Sequence, residues 1–322
     1  MRAVDSVIKE LSLIGIVPVI AIDDADQAVP LARALAAGGL PAAEVTFRTA
    51  AGEEAIRRIA DQVPEMLVGA GTVLTTDQAD RAVEAGARFI VSPGFNPDVT
   101  RHVIRMGVPM MPGTASPGEM EQAMSMGLDV VKFFPAEQNG GVAKLKALAG
   151  PYANLRWMPT GGVNTENMMD YLNFDRVVAC GGTWMVKKQL IAEGRWEEIT
   201  ALSRQAVQTM LGFSLHHVGV PCGDADEADR VANALCGIFG FAGKDGRSSH
   251  FAGPVECCKG DAPGRRGHIA IGTNSVERAI YHLSRRGVTF EEATRRRDGS
   301  GRTVSIYLQG DFGGFAIHLV QT

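Results

Sequence analysis

Residues 129–137 read DVVKFFPAE, an apolar run that carries one lysine, Lys132. Its hydrophobic residues are continuous rather than alternating, which is typical of a parallel β-strand covered by helices on both faces. Lysine is rarely buried unless it is paired or has a chemical role. The stretch therefore predicts a buried parallel strand with a paired or reactive lysine near its end.

Seven further strand-like segments alternate with helical patterns up to about residue 205. They are IVPVIA (16–21), AAEVTF (42–47), MLVGAG (66–71), RFIVSP (88–93), VPMMP (108–112), LRWMP (155–159) and RVVAC (176–180). The segments between them begin with polar residues, continue with apolar residues at helical spacing and often end on glycine. Eight such units predict an α/β fold, a (β/α)8 TIM barrel. A doubly wound open sheet is the alternative, although no GxGxxG motif follows the first strand.

Length, charge and cysteine content restrict the remaining possibilities. A chain of 322 residues suits a barrel with a smaller second module. The net charge of −4 and the lack of an evident basic face argue against nucleic acid as a partner. No apolar run reaches the roughly 20 residues of a membrane span. Five cysteines without a framework spacing suit a reducing compartment, so we expect a cytoplasmic protein.

Polar residues and glycines follow the predicted strands, and in a barrel these strand ends converge on one mouth. They include Glu44, Arg48, Thr72, Pro93, Lys132, Thr160, Gly161, Gly162, Gly182 and Thr183. Lys132 has two interpretations. It could form an interior ion pair with Glu44. Alternatively, its apolar neighbours favour the uncharged amine, which adds to a ketone and gives an iminium, with Glu44 as proton shuttle.

Two glycine pairs, in PTGGV and CGGTW, follow the seventh and eighth predicted strands. Backbone N–H groups at these two places bind phosphate in many barrels. The pairs therefore favour a phosphorylated substrate. Arg48 and Thr72 remain to hold a second anion, which we expect to be a carboxylate.

The motifs EVTFRT, VGAGTVL, SPGF, VKFFPAE, MPTGGV and GGTW resemble, in order over about residues 5–210, the class I 2-keto-3-deoxy-6-phosphogluconate (KDPG) and 4-hydroxy-2-oxoglutarate aldolases. The resemblance implies cleavage of KDPG to pyruvate and glyceraldehyde 3-phosphate. It implies Lys132 as the Schiff-base lysine and Glu44 as general acid and base. It further implies a substrate site that includes Pro93 and Phe134, a homotrimer, and no metal in the aldol step. Cleavage of 4-hydroxy-2-oxoglutarate to pyruvate and glyoxylate is a second reaction. A phosphogalactonate aldolase and a barrel isomerase without an iminium are alternatives.

A second module is predicted from residue 212, which divides the chain into domains 1–211 and 212–322. Six of the seven histidines lie after Leu215. The order strand, helix and three strands starts at LHHVGV (215–220) and again at HIAIGT (268–273). This repeat predicts a smaller α+β domain of two βαβββ-like halves.

Four residues occupy matching places in the two halves, namely His217, Glu256, His268 and His318. Such nitrogen and oxygen ligands could bind a divalent metal, Zn, Ni, Mn or Fe. The motifs HHVGV, GHIAI and GGFAIHLV resemble the vicinal oxygen chelate superfamily, which includes glyoxalases and dioxygenases. A metal-dependent sugar-acid enzyme and a ligand-binding attachment are both open. Strand alternation also predicts that Cys257 lies in the core and Cys258 at the surface.

Overall fold

The structure, a computed structural model, describes residues 3–260 and 262–322. The chain forms two compact units, one ending at Met210 and the other comprising Leu211–Thr322. Within the described ranges, every helix is too short or too polar to cross a membrane.

The N-terminal unit alternates strands and helices. Its helices are α1 (Ala3–Ile14), α2 (Ala28–Ala37), α3 (Gly52–Gln62), α4 (Thr76–Glu84), α5 (Pro97–Arg105), α6 (Pro117–Ser125), α7 (Gly141–Ala149), α8 (Met168–Leu172), α9 (Lys188–Ala192) and α10 (Trp196–Leu211), the last of which reaches the unit boundary. Its strands are β1 (Ile16–Ile20), β2 (Ala42–Thr46), β3 (Leu67–Gly71), β4 (Ile90–Val91), β5 (Met110–Met111), β6 (Gly113–Thr114), β7 (Val130–Phe133), β8 (Arg156–Pro159) and β9 (Cys180–Gly182). A 3-10 turn, Ala25–Gln27, precedes α2.

All strand pairs of this unit are parallel. One sheet has the order β5-β4-β3-β2-β1-β9, and a second has the order β6-β7-β8. Every residue of β1, β2, β3 and β7 is buried, as expected for a parallel sheet covered by helices. The unit is therefore an α/β fold with a parallel half-barrel sheet.

The last predicted strand, residues 176–180, is regular only from Cys180. Residues before it still pair, because the Val178 N–H donates to the Trp157 carbonyl at 2.9 Å. Isolated parallel bridges also join Trp157 to Val177 and Thr160 to Gly181. The segment thus links β8 to β1 although most of it is not a regular strand.

Local sequence signals fix several helix starts. The Thr75 side chain accepts a hydrogen bond from the Gln78 N–H at the start of α4. Asn96 does the same for α5, where Pro97 occupies the first turn. Ser116 and Glu119 form a reciprocal capping box on α6. Each cap satisfies backbone donors that have no partner within the helix.

The C-terminal unit contains one eight-stranded sheet and two helices within the described residues. Its elements are β10 (Ser214–Cys222), α11 (Ala225–Phe239), β11 (Gly243–Asp245), β12 (Ser249–Ala252), β13 (Val255–Lys259), β14 (His268–Thr273), α12 (Val276–Ser284), β15 (Phe290–Arg297), β16 (Thr303–Leu308) and β17 (Ala316–Gln321). The strand order is β11-β12-β13-β10-β14-β17-β16-β15.

Two parallel pairs, β10 with β13 and β14 with β17, lie on either side of the antiparallel pair of β10 and β14. His268 and Glu256 both pair in register with Gly219, so they lie in one row across the sheet. His318 pairs with Ala270, as does His217 from the opposite side. The register therefore brings the first and last strands of each half together at the middle of the sheet.

Candidate active site and candidate metal centre

A cavity of about 240 Å³ opens at the C-terminal ends of the strands in the N-terminal unit. All eleven residues predicted for the aldolase site line it: Glu44, Arg48, Thr72, Pro93, Lys132, Phe134, Thr160, Gly161, Gly162, Gly182 and Thr183. Val19, Thr46 and Val163 complete the lining. Residues far apart in sequence thus meet because parallel strands present the same end to one mouth.

Lys132 lies near the end of β7, and Glu44 lies in the middle of β2. The Lys132 Nζ donates to Glu44 Oε1 at 3.2 Å. Glu44 is fully buried, and Lys132 is 5% exposed. The ammonium also lies 5.2 Å from the centroid of the Phe134 ring. The lysine is therefore held between a carboxylate and an aromatic face, largely out of water.

The absence of a side chain on Gly71 makes room for the Glu44 carboxylate. A Cβ atom added at Gly71 would lie 2.2 Å from Glu44 Oε1. The second carboxylate oxygen, Oε2, is buried and has no hydrogen-bond partner among the described residues. Buried polar atoms are normally paired, so Oε2 is available to a water molecule or a ligand.

Arg48 follows β2, Thr72 follows β3, and both line the cavity. The Arg48 Nε donates to Thr46 Oγ1 at 3.2 Å, and the Thr46 hydroxyl donates to the Ile20 carbonyl at 2.8 Å. Thr72 has a backbone φ of 57°, a left-handed conformation that is unusual for a β-branched residue. Such strain is concentrated at functional sites.

The loop after β8 carries Gly161 and Gly162, whose φ angles are +97° and +79°. A Cβ at Gly162 would lie 2.5 Å from Glu137 Cγ, so this loop packs closely on the segment after β7. The Tyr171 hydroxyl donates to the Glu137 carboxylate. Burial, and then this carboxylate, raise the pKa of Tyr171 well above its ordinary value.

Comparison with known proteins identifies this unit. The profile of the family described as KDPG and KHG aldolase matches residues 4–202. The chain belongs to the KDPG and KHG aldolase family. The resemblance inferred from its motifs is thereby confirmed for this part of the chain.

Relatives in the family align with the N-terminal unit. The 2-dehydro-3-deoxy-phosphogluconate aldolase of Treponema pallidum is 49% identical over 203 residues, which cover 63% of this chain and 97% of the relative. The KHG/KDPG aldolase of Escherichia coli K12 is 44% identical over 193 residues, which cover 60% of this chain and 91% of the relative. The chain thus spans nearly the full length of these aldolases.

Solved aldolase structures are similar to the same part of the chain. The KDPG aldolase of Legionella pneumophila, with pyruvate captured as a covalent carbinolamine, has a TM-score of 0.60 and 37% identity, and the match covers 62% of this chain and 97% of that one. The Zymomonas mobilis enzyme with 3-phosphoglycerate has a TM-score of 0.58 and 40% identity, with 64% and 95% coverage. The N-terminal unit has the aldolase-like fold.

The C-terminal unit has a separate cluster of predicted ligands outside the matched aldolase region. His217 Nε2 lies 3.2 Å from His268 Nε2 and 2.9 Å from Glu256 Oε2. His268 Nε2 lies 3.0 Å from the same carboxylate oxygen. Nitrogen atoms of His217, His268 and His318 all lie within 4.8 Å of one another. The structure thus brings all four predicted ligands together.

Two residues that were not predicted from the sequence orient His318. Its Nδ1 lies 3.2 Å from Ser305 Oγ. The Tyr307 ring stacks on its imidazole at a centroid distance of 4.5 Å. Burial, and then the neighbouring His268 and His217, lower the pKa of His318 to about 3, so the imidazole is neutral near neutral pH. Only the cross-strand register of β16 and β17 reveals these contacts.

The donor set suits a cation. His318 Nε2 is buried and has no hydrogen-bond partner within the described ranges. Burial raises the pKa of Glu256, but hydrogen bonds from His217 and His268 outweigh that effect and hold it well below its ordinary value. Three imidazole nitrogens and one carboxylate are a common set for zinc, nickel, manganese or iron.

The prediction that Cys258 lies at the surface is wrong. Cys257 and Cys258 are both buried, at 0% and 7% exposure. Alternation does send them to opposite faces, because Cys257 packs in the core cluster beside Ala228. The Cys258 Sγ instead lies within 4.8 Å of ligand atoms of Glu256 and His268. The histidine-bearing face is itself largely enclosed, and strand alternation alone could not reveal that.

Proposed function

We propose that this chain is a class I aldolase that cleaves KDPG to pyruvate and glyceraldehyde 3-phosphate, with Lys132 as nucleophile and Glu44 as general acid and base. One observation carries the proposal. In a chain of this family, a nearly buried lysine Nζ lies 3.2 Å from a fully buried carboxylate and lines a substrate-sized cavity. This class of enzyme is a carbon–carbon lyase.

The proposed reaction begins with transfer of a proton from Lys132 to Glu44. The free amine then adds to the C2 ketone, and loss of water gives an iminium. A base removes the proton of the C4 hydroxyl, the C3–C4 bond breaks, and its electrons flow into the iminium to form an enamine. Glyceraldehyde 3-phosphate leaves, C3 takes up a proton, and hydrolysis releases pyruvate and the amine. The iminium is the electron sink, so the aldol step requires no metal.

Glu44 is suited to each proton transfer. Its Oε1 accepts from Lys132, while its buried Oε2 has no partner in the described part of the chain. A water molecule held by Oε2 would reach the substrate hydroxyl without displacing the lysine. The low-polarity surroundings strengthen these hydrogen bonds.

The remaining cavity residues would hold the two charged ends of the substrate. Arg48 and Thr72 would bind the carboxylate next to the ketone, because a guanidinium forms charge-assisted hydrogen bonds with it. Gly161, Gly162, Gly182 and Thr183 would bind the phosphate through backbone N–H groups and a hydroxyl. Pro93, Phe134 and Thr160 would pack around the keto acid.

We further infer that the two parallel sheets form one (β/α)8 barrel. The bridges between β8 and the segment around β9 support closure on one side. On the other side, Pro112 separates β5 from β6, so these two short strands belong to one extended segment, residues 110–114.

Two other substrates follow from the same chemistry. Cleavage of 4-hydroxy-2-oxoglutarate would give pyruvate and glyoxylate through the same iminium, and the combined name of the Escherichia coli relative supports this reaction. The phosphogalactonate epimer is the alternative substrate. A solved KDPGal protein is only 25% identical, below the KDPG aldolases, so phosphogluconate is favoured.

Borohydride reduction in the presence of pyruvate tests the proposal. We expect one covalent adduct per chain, found by peptide mass spectrometry at Lys132. Lys144 is the matched control, because its Nζ lies near the Phe133 ring but donates to the Ala115 carbonyl. If Lys132→Ala is labelled as strongly as the parent while Lys144→Ala behaves normally, the iminium assignment is wrong.

For the C-terminal unit, residues 212–322, we propose a glyoxalase-like vicinal oxygen chelate domain that binds one divalent metal through His217, Glu256, His268 and His318. The clustered donor atoms and the repeated order of strand, helix and three strands support this assignment. When bound, the metal would supply Lewis acidity. Ser305 and Tyr307 would orient His318, and Glu256 would offset part of the cationic charge.

Metal analysis of the full chain after dialysis tests this second assignment. We expect close to one zinc, nickel, manganese or iron per chain. His217→Ala and His268→Ala should lose the bound metal. His102→Ala should keep it, because the His102 imidazole pairs with Asp80 instead. A parent protein that binds no metal would favour a ligand-binding attachment.

The oligomeric state and the cellular location of the protein remain predictions from the sequence. We propose a homotrimer that acts in the cytoplasm on small phosphorylated keto sugar acids. Light scattering of the purified chain would measure its mass against the 34.2 kDa of one copy.

A further inference from the structure

We propose that the hydrogen bond between Tyr171 and Glu137 positions the glycine loop (residues 160–163) for a phosphate group, and thereby makes the aldolase site selective for phosphorylated substrates. Neither side chain is among the described residues that line the cavity. Both are therefore positioning residues rather than catalytic residues. The inference rests on the proposed function of the N-terminal unit and adds a determinant of its specificity.

The glycine loop runs beside the segment that follows β7. The Ala136 N–H donates to the Thr160 carbonyl at 2.8 Å, and the Glu137 N–H donates to the Gly161 carbonyl at 3.1 Å. The backbone around Glu137 thus pairs with the loop residue by residue. A change in the position of this segment would be transmitted to the loop.

Gly162 packs against the Glu137 side chain. Its φ of +79° is a backbone conformation that glycine adopts without strain. An added Cβ atom would lie 2.7 Å from Glu137 Cβ and 2.5 Å from Glu137 Cγ. On its other side, Asn167 Nδ2 donates to the Gly162 carbonyl at 3.1 Å. Gly162 is therefore held between the Glu137 side chain and Asn167.

The hydrogen bonds of the loop leave a donor for an anion. The carbonyls of Gly161 and Gly162 both accept hydrogen bonds from the protein. The Gly162 N–H, in contrast, has no acceptor among the residues that the structure describes. Because Gly162 lines the cavity, this N–H group is available to a phosphate oxygen, as backbone donors are in many anion sites.

Tyr171 fixes the conformation of the Glu137 side chain. Tyr171 lies in α8 and is only 1% exposed, and its hydroxyl donates to Glu137 Oε1. A buried hydroxyl without a partner is costly, so this hydrogen bond is strongly favoured. Glu137 itself is exposed, and without the bond its side chain would sample several rotamers. The buried tyrosine therefore orders an otherwise mobile side chain under the loop.

The same hydrogen bond keeps the Glu137 charge away from the substrate. A Cβ atom added at Gly141, the first residue of α7, would lie 3.4 Å from both Glu137 Oε1 and the Tyr171 hydroxyl oxygen. The carboxylate is thus held beside the start of a helix, where the helix dipole favours negative charge. A released carboxylate would repel a phosphate bound at the glycine loop.

The test compares Tyr171→Phe with the parent in the full chain. Steady-state kinetics with KDPG are combined with the pyruvate concentration that gives half-maximal borohydride trapping at Lys132. We expect KM for KDPG to rise about tenfold with kcat near the parental value. Pyruvate trapping should be unchanged, because pyruvate carries no phosphate. Tyr152→Phe is the matched control and should keep all parental values, since its hydroxyl donates to Glu121 on the surface.

Variants of Glu137 test the same hydrogen bond from its other end. Glu137→Ala should raise KM for KDPG as Tyr171→Phe does. Glu137→Gln keeps an oxygen that accepts from the tyrosine and should restore a KM close to that of the parent. Because Glu137 is exposed, its variants test the inference even if Tyr171→Phe does not fold.

The outcomes separate this inference from the proposed aldolase function. An unchanged KM for KDPG in both Tyr171→Phe and Glu137→Ala would overturn the inference. Equal weakening of KDPG and pyruvate binding would also overturn it, because the pair would then support the whole site. A raised KM in Glu137→Gln would assign the effect to the charge rather than to the hydrogen bond. A parent that neither cleaves KDPG nor is trapped with pyruvate would refute the proposed function itself.

Discussion

Lys132 and Glu44, which are 88 residues apart in the chain, form a buried ion pair at 3.2 Å between β7 and β2. The two interpretations of Lys132 are therefore not exclusive. An ion pair holds the amine in place before the substrate arrives, and transfer of one proton within the pair would convert it to the proposed nucleophile. Their mutual attraction offsets part of the cost of taking both charges out of water in the resting state.

Replacement of Glu44 by Gln separates the chemical role from the shape of the side chain. The amide keeps the volume but neither accepts the lysine proton nor returns it. We expect kcat to fall about 10²- to 10⁴-fold. The free energy of unfolding should also fall, by about 3–5 kcal/mol, because an ammonium stays buried without its counter-charge. Steady-state kinetics and urea denaturation measure the two effects. Near-parental kcat would exclude Glu44 as the proton shuttle.

Replacement of Gly71 by Ala tests the packing that holds the carboxylate. The new Cβ would lie 2.2 Å from Glu44 Oε1, so the carboxylate must move away from Lys132. We expect kcat to fall more than KM rises. Gly118→Ala is the control, since a Cβ there meets nothing within 4 Å. Equal kinetics in the two variants would show that Glu44 does not depend on Gly71.

Replacement of Arg48 by Ala removes the cation proposed to bind the substrate carboxylate. The loss of a charge-assisted hydrogen bond should lower kcat/KM by about 10- to 100-fold, mainly through KM. Arg57→Ala provides the comparison, because its guanidinium pairs with Glu53 on the surface of α3. The role of Arg48 would be rejected if both variants kept the parental kcat/KM.

The capping carboxylate of α6 predicts a pH dependence of stability. Burial raises the pKa of Glu119, but hydrogen bonds from Ala115 and Ser116 outweigh this effect, and the pKa is lowered from its ordinary 4.5. Glu119 therefore stabilises the fold above that value, and this stabilisation is lost as the pH falls through the lowered pKa. Denaturation between pH 6 and 3 should show a shallower decline for Glu119→Gln than for the parent. Equal slopes for Glu119→Gln and the parent would contradict this role of the capping carboxylate.

Removal of the His318 side chain tests the candidate metal centre and changes no residue of the aldolase cavity. His318→Ala should weaken metal binding by at least the roughly 10- to 100-fold that the loss of an outer-shell partner costs. Chelator competition measures this affinity. KDPG cleavage should be unaffected, since Lys132 and its cavity lie in the N-terminal unit. Parental metal affinity in His318→Ala, with weak affinity in His268→Ala, would leave a site of three ligands.

Much of the aldolase site could be predicted because its residues follow strand ends. Lys132, Thr160 and Gly182 needed only the hydrophobic runs and the order of the strands. Thr46 also lies at a strand end and could be placed at the same mouth, where it lines the cavity. Its role in holding Arg48 depends on the Ile20 carbonyl of the neighbouring strand.

The C-terminal unit was harder to predict for a physical reason. The four proposed ligands occupy matching places in a repeat, so they could be picked out from the sequence. Ser305 and Tyr307 contact His318 only because β16 pairs with β17 in a particular register. Periodicity along one strand says which face a residue takes but not which residue it meets on the next strand.

The separation of Lys132 and Glu44 along the chain also bears on refolding. β2 and β7 must both be docked before Lys132 meets Glu44, its proposed proton acceptor. Recovery of borohydride-trappable pyruvate after dilution from urea should consequently lag behind the return of helical circular dichroism. The rate at which pyruvate trapping returns would then report how fast the last long-range contacts of the N-terminal unit form.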